Sequence, residues 1–278
     1  MRQTGDTPRK TLGPKAARLV TELHERGRQV FSLRDAEDVL GLSPGLTRSF
    51  VAQLVKRGVV TRLKPGLFHL VPFELGHAAD YVGNPYVVAR ELAGGHDYFL
   101  SHASAMDIHQ MVTQPQLVVY VTSLRPLRRR LIRGTEIRFV RCQRDEFFGV
   151  TERWIEKHDQ IAVSDPERTI IDGLRSPDYC GGIIEVAKGF RMRGEALDPE
   201  RLVAYALRLG RGAVFRRLGF LMELWNVDCP KGLDELQSRL TDSYVRLDPG
   251  LPAGGRFLRR WRVHLNVTPE EIRAAVRT

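Results

Sequence analysis

Residues 31–70 read FSLRDAEDVLGLSPGLTRSFVAQLVKRGVVTRLKPGLFHL, and the fold turns on their middle. Ser43 is a good N-cap, and Pro44 suits a first helical turn, where a missing N–H costs nothing. Leu46, Phe50, Val51, Leu54 and Val55 then recur at helical spacing, predicting an amphipathic helix over 44–57 with Gly58 just past its end. The opposite side carries Gly45, Arg48, Ser49, Ala52 and Lys56. Small residues allow close approach to a groove, a serine hydroxyl reaches phosphate or a base edge, and an arginine pairs bidentately with guanine.

Working outward, residues 34–40 form a shorter helix ended by Gly41. Residues 15–26 form another, with Ala16, Leu19, Val20 and Leu23 apolar and Gly27 closing it. Downstream, 59–63, Lys64-Pro65-Gly66 and 67–70 read as strand, turn, strand. Three helices followed by a hairpin describe a winged helix-turn-helix over residues 1–70. The candidate DNA contacts are Gly45, Thr47, Arg48, Ser49 and Lys56 on the helix and Arg62 and Lys64 on the wing. The plainer alternative is a helical pair with a solvated basic face. Charge distribution favours DNA: residues 1–70 hold 13 Lys+Arg against 6 Asp+Glu, the other 208 residues 30 against 27.

The 278 residues allow two domains, and 42% hydrophobic with 27% charged residues describes a soluble globular chain. No apolar run approaches the roughly 20 residues of a membrane span. The polar, basic start is no secretory signal and reads as a loose arm. Cys142, Cys180 and Cys229 are isolated from one another, which fits a reducing cytoplasm and no zinc site. The histidines make no ligand pattern; His102 and His109 read as packed residues. No metal or cofactor is expected.

After a linker at 71–84, residues 85–278 read as a mixed α/β domain ending in a helical bundle-like region, so the class is α+β. Helices are expected at 86–93, 102–111, 182–191, 198–208 and 211–226. Strands are expected at 116–122, 135–142, within 147–163 (apolar parts Trp154-Ile155 and 161–163), at 243–247 and at 261–267. Residues 125–133 are a basic connection. Arg125, Arg128, Arg129 and Arg130 there form a possible second basic patch for nucleic acid or an acidic partner, or else a solvated loop.

Catalytic patterns do not assemble. Asp165, Glu167 and Asp172 could suggest a metal site, but the first two stand at capping positions and Arg168–Asp172 is an i,i+4 pair. Ser101-His102 with Ser104 and Asp107 lacks a nucleophile elbow, and Ser101 reads as an N-cap. Phosphate-binding glycine loops are missing. The pair Arg216-Arg217 reads as a helix face. The expectation is a non-enzyme. The alternatives are a ligand-responsive transcriptional regulator and a DNA-tethered nucleotidyltransferase-like enzyme.

Beyond the winged helix, the chain carries Tyr98-Phe99-Leu100-Ser101-His102-Ala103-Ser104-Ala105, Val163-Ser164-Asp165-Pro166-Glu167-Arg168-Thr169 with Asp172, and Tyr179-Cys180-Gly181-Gly182. Arg216-Arg217-Leu218-Gly219-Phe220-Leu221-Met222-Glu223 and Trp261-Arg262-Val263-His264-Leu265-Asn266-Val267 follow. In this ordered set the chain resembles the AbiEi family of bacterial antitoxins. It departs from the family pattern at Met106–Met111, where a more uniformly apolar helix ends in His-Gly-Leu. The resemblance implies a cytoplasmic antitoxin of a type IV toxin–antitoxin system and a transcriptional autorepressor at inverted repeats of its own promoter, bound by cooperating monomers. It implies a functional partner too, an AbiEii-like nucleotidyltransferase toxin, with direct contact left open.

Overall fold

The computed structural model describes residues 12–75, 81, 83–112, 117–156 and 159–276; the expected N-terminal arm and part of the 71–84 linker lie outside them. The chain divides into two compact units. The first holds the residues up to His96 with 130–136 and 154–160, and the second holds the remainder. In the first, α1 (Pro14–Glu25) is followed by β1 (Val30–Ser32), α2 (Leu33–Leu40), α3 (Pro44–Lys56), β2 (Val60–Lys64), β3 (Leu67–Leu70) and α4 (Pro85–Ala93). Ser32 and Asp35 make a reciprocal capping box at the start of α2. Burial opposes the Asp35 charge, but bonds from Ser32 and the Arg28 guanidinium outweigh it and hold its pKa below the usual value. Gly41 ends α2 at φ 64°, a left-handed turn that a side chain would strain.

β1, β3 and β2 pair antiparallel in that order. Against them Leu19, Leu23, Phe31, Val51, Leu54 and Phe68 share one core. The expected apolar residues of α1 are all buried. This unit runs past the expected linker. Thr61 donates to the Tyr81 carbonyl at 2.8 Å, and α4, expected in the second domain, packs on β2.

Further along the chain come β4 (Tyr98–Leu100), α5 (His102–Ile108), β5 (Val118–Ser123), β6 (Arg130–Ile132), β7 (Thr135–Arg141), β8 (Val150–Glu156) and β9 (Asp159–Ser164). These strands form one sheet in the order β6-β7-β5-β4-β9-β8, with β4 antiparallel to β5 and parallel to β9. β6 lies inside the expected basic connection, and Trp154, expected in the apolar part of a strand, stands on β8 but is 66% exposed.

Helices follow: α6 (Pro166–Arg175), α7 (Ile183–Arg193), α8 (Pro199–Leu209), α9 (Gly212–Leu224) and α10 (Pro230–Ser238). α6 packs on α7, α8 and α9. This helical region does not end the domain as expected. A small sheet of β10 (Val245–Arg246), β11 (Arg256–Leu258) and β12 (Val263–Leu265), then α11 (Pro269–Val276), closes it. Gly219 makes that arrangement possible: a Cβ there would sit 2.2 Å from the Trp261 ring, which is fully buried against α9. Trp261 Nε1 donates to Glu223 at 2.7 Å.

Candidate nucleic-acid interface

Helix α3 buries Thr47, Val51 and Leu54, which lie on one face at i, i+4 and i+7. Gly45, Arg48, Ser49, Ala52 and Lys56 are all exposed on the other side. Two expectations are corrected here. Thr47 cannot touch DNA, because it is buried and its hydroxyl donates back to the Ser43 carbonyl at 3.1 Å. Leu46, expected in the apolar stripe, is 61% exposed. Ser43 occupies the N-cap position without a side-chain capping bond.

On the wing, β2 exposes only Arg62 fully. Lys64 is the third correction: its ammonium donates to the Glu91 and Leu92 carbonyls at 3.4 and 3.3 Å, at the C-terminal end of α4. It neutralises a helix terminus within the protein. Gly66 at the wing turn accepts from the Leu33 N–H at 3.1 Å, tying the wing to the start of α2.

Between α3 and the wing runs a groove of about 530 Å³. Leu33, Val55 and Phe68 give it apolar walls, and Arg48, Lys56 and Arg62 supply its positive charge. Phe68 stands opposite Arg62 in the β2–β3 register, a pairing that the strand–turn–strand pattern alone does not specify. Among the described residues no ion pair holds Arg48, Lys56 or Arg62, so their donors remain for a partner. The groove therefore joins an apolar floor to three uncommitted cations, a combination suited to a sugar–phosphate backbone.

Arg125, Arg128 and Arg129 are exposed in the connection after β5, and Arg130 is exposed as the first residue of β6.

The second unit's chemistry-bearing residues are tied to one another. Asp165 accepts from the Arg168 N–H at 2.7 Å and from the Tyr205 hydroxyl at 2.8 Å. Burial, then this bond, pushes the tyrosine up to about 12. Glu167 accepts from the Asp198 N–H at 3.0 Å, and Asp172 pairs with Arg168 at 2.9 Å. The Ser101 hydroxyl caps nothing; it lies 2.9 Å from His102 Nδ1 and accepts from Thr122 at 2.8 Å, wholly buried. His109 Nε2 donates to the Ser164 carbonyl at 2.6 Å. Arg216 and Arg217, expected on a helix face, are 2% and 4% exposed. Arg216 donates to Thr241 and Ser243, and Arg217 to the carbonyls of Leu174 and Arg246. Among the described residues no group of three metal-ligating side chains gathers, and no helix is long and apolar enough to cross a membrane.

The RV2827C protein from Mycobacterium tuberculosis, known from a crystal structure, has a similar fold, with a TM-score of 0.68, 16% identity and 94% of each chain covered. Nothing among curated proteins matches this chain. Residues 18–71, which hold the winged helix, match the family model of the transcriptional regulators described as AbiEi antitoxins.

Proposed function

We propose that the chain is the antitoxin of a bacterial type IV toxin–antitoxin system and a transcriptional autorepressor. α3 enters the major groove at inverted repeats of its own promoter, one monomer per half-site with cooperation between them. The observation that carries this reading is the groove in which Arg48, Lys56 and Arg62 stand uncommitted within the matched domain. Gly45, Ser49 and Ala52 keep that face of α3 low enough for close approach, Arg48 reads a guanine, and Lys56 and Arg62 hold phosphates. The larger unit opposes a nucleotidyltransferase-like toxin by binding rather than catalysis, a reading supported by the capping and ion-pair roles of Asp165, Glu167 and Asp172. Cys142, Cys180 and Cys229 are buried free thiols, which suits work in the reducing cytoplasm.

Replacing Arg48 with Ala in the full chain weakens promoter binding by about 1–3 kcal/mol relative to non-specific DNA. A footprint and affinity equal to those of the parent protein would refute base reading by this residue.

A further inference from the structure

The small sheet of the second unit has one face packed and one face open. Val263 and Leu265 of β12 point into the core and are at most 2% exposed. The alternate residues point the other way, and register sets them in a row: Arg246 on β10 pairs with His264 on β12, which pairs with Phe257 on β11. The Phe257 and His264 rings stack at 4.4 Å and 14°. Tyr244 meets Phe257 edge to face at 5.1 Å, and the Arg262 guanidinium lies over the Tyr244 ring. Phe257 is nevertheless 63% exposed and Tyr244 38%. An aromatic cluster so well ordered and so open has no role in the core beneath it.

Its surroundings indicate what covers it. Residues 239–267 contain six Arg and two Asp. Of the two acids, Asp248 is turned inward, accepting from the Ile183 N–H at 2.8 Å, and Asp242 pairs with Arg262 at 3.2 Å. Arg246 is exposed in the same row as the rings, and Arg259 is exposed in the turn after β11. Below, Trp261 fixes the sheet on α9, and Arg260 adds a bond to Glu223. The platform is therefore held rigid while its open face offers π surfaces ringed by cations.

We infer that this face binds single-stranded nucleic acid, stacking unpaired bases on Phe257 and Tyr244 while the neighbouring arginines hold the phosphates. A duplex does not fit the same surface, because its base faces are already stacked; unpaired nucleotides present both a free π face and a backbone charge. The positive ring selects a polyanion over a neutral apolar partner. This site is separate from the winged helix, and its failure would leave the promoter-binding reading intact.

The test uses the full chain and fluorescence anisotropy with labelled 12-nucleotide uridine RNA and thymidine DNA, unlabelled promoter duplex serving as competitor. Binding of either oligonucleotide is expected, and a preference between them identifies whether RNA or DNA is the natural strand. Phe257→Ala should weaken binding about 5- to 150-fold, the range of one lost base stack. Phe257→Trp should keep it and show indole quenching as the oligonucleotide is added. Arg246→Glu, a change on an exposed strand residue of that row, should also weaken it, and promoter-duplex affinity should stay constant in all three. The inference is overturned if neither oligonucleotide binds at low salt, if duplex displaces the strand competitively, or if Phe257→Ala and Arg246→Glu bind as the parent does. Loss of toxin neutralisation in Phe257→Ala with oligonucleotide binding unchanged would likewise overturn it and assign the face to a protein.

Discussion

Arg48 and Arg62 stand exposed on α3 and the wing of the first unit, whereas Arg168, Arg216 and Arg217 in the second are 1%, 2% and 4% exposed. The same side chain therefore does opposite work in the two units. Outside, its donors are left for a partner. Inside, they bind carbonyls of other elements and a carboxylate one helical turn away: Arg168 joins Asp172 and the Glu146 carbonyl and lies 4.2 Å over the Phe148 ring, and Arg217 joins the end of α6 to β10. Positive charge in a sequence is thus not a map of binding surface. What separates the two cases is whether the fold supplies acceptors within reach, since a buried guanidinium without them is far too costly.

The largest effect follows from breaking the interior pair. Arg168→Ala leaves the Asp172 carboxylate buried and unpaired, and should destabilise the second unit by about 3–5 kcal/mol in urea unfolding. Replacing both members with apolar residues, Arg168→Met with Asp172→Leu, should recover much of the loss; equal damage from the double variant would mean that Arg168 matters through its other bonds. Next is Arg217→Met, which strands the buried Leu174 carbonyl and the partly buried Arg246 carbonyl and should cost about 1–3 kcal/mol. Burial lowers the Arg217 pKa to about 10, which still leaves the charge in place at neutral pH. Neither substitution should change DNA affinity per folded molecule.

The exposed set was far more legible in the sequence than the buried one, for a physical reason. A helix presents its faces at a fixed period, so the exposure of Gly45, Arg48, Ser49, Ala52 and Lys56 follows from spacing alone, as do the buried residues of α1. The same rule misplaced Leu46 and Thr47, because hydropathy ranks Leu inside although the Thr47–Val51–Leu54 row is the one that faces the core. Lys64 was misplaced because its acceptors lie at the end of α4, more than 25 residues away. Arg216 and Arg217 find theirs in loops and strands equally remote in sequence. The open aromatic row was hidden for the same reason, since its members come from three short strands joined by a turn-rich connection. Helices α10 and α11 were missed although Pro230 and Pro269 mark their starts.

A smaller effect is acid sensitivity. His69, His102 and His109 are buried, and burial lowers the pKa of each below the ordinary imidazole value. Below about pH 6.5 the unfolded chain takes up protons that the folded chain does not, so stability is full above that value and falls as pH drops through it. The slope cannot exceed about 1.4 kcal/mol per pH unit for each histidine. Denaturant titrations at pH 7.5, 6.5 and 5.5 measure it, and His102→Gln should flatten the response. A flat profile in the parent chain would mean that these imidazoles protonate in place.

The smallest effect tests the exterior half of the comparison. Arg62 lies exposed on the wing, with no ion pair among the described residues, so Arg62→Ala should change folding stability by less than about 0.5 kcal/mol. Its loss should appear only in the partner's presence, as a modest weakening that is nearly uniform across DNA sequences. A phosphate contact contributes through counterion release, so the slope of log affinity against log salt should become shallower by about one unit. Arg48→Ala should do the reverse, changing sequence preference more than salt slope, because a base contact releases fewer ions. If both variants shift the slope equally and leave preference untouched, both arginines are phosphate contacts, and specificity must come from the remainder of α3 or from the shape of the DNA.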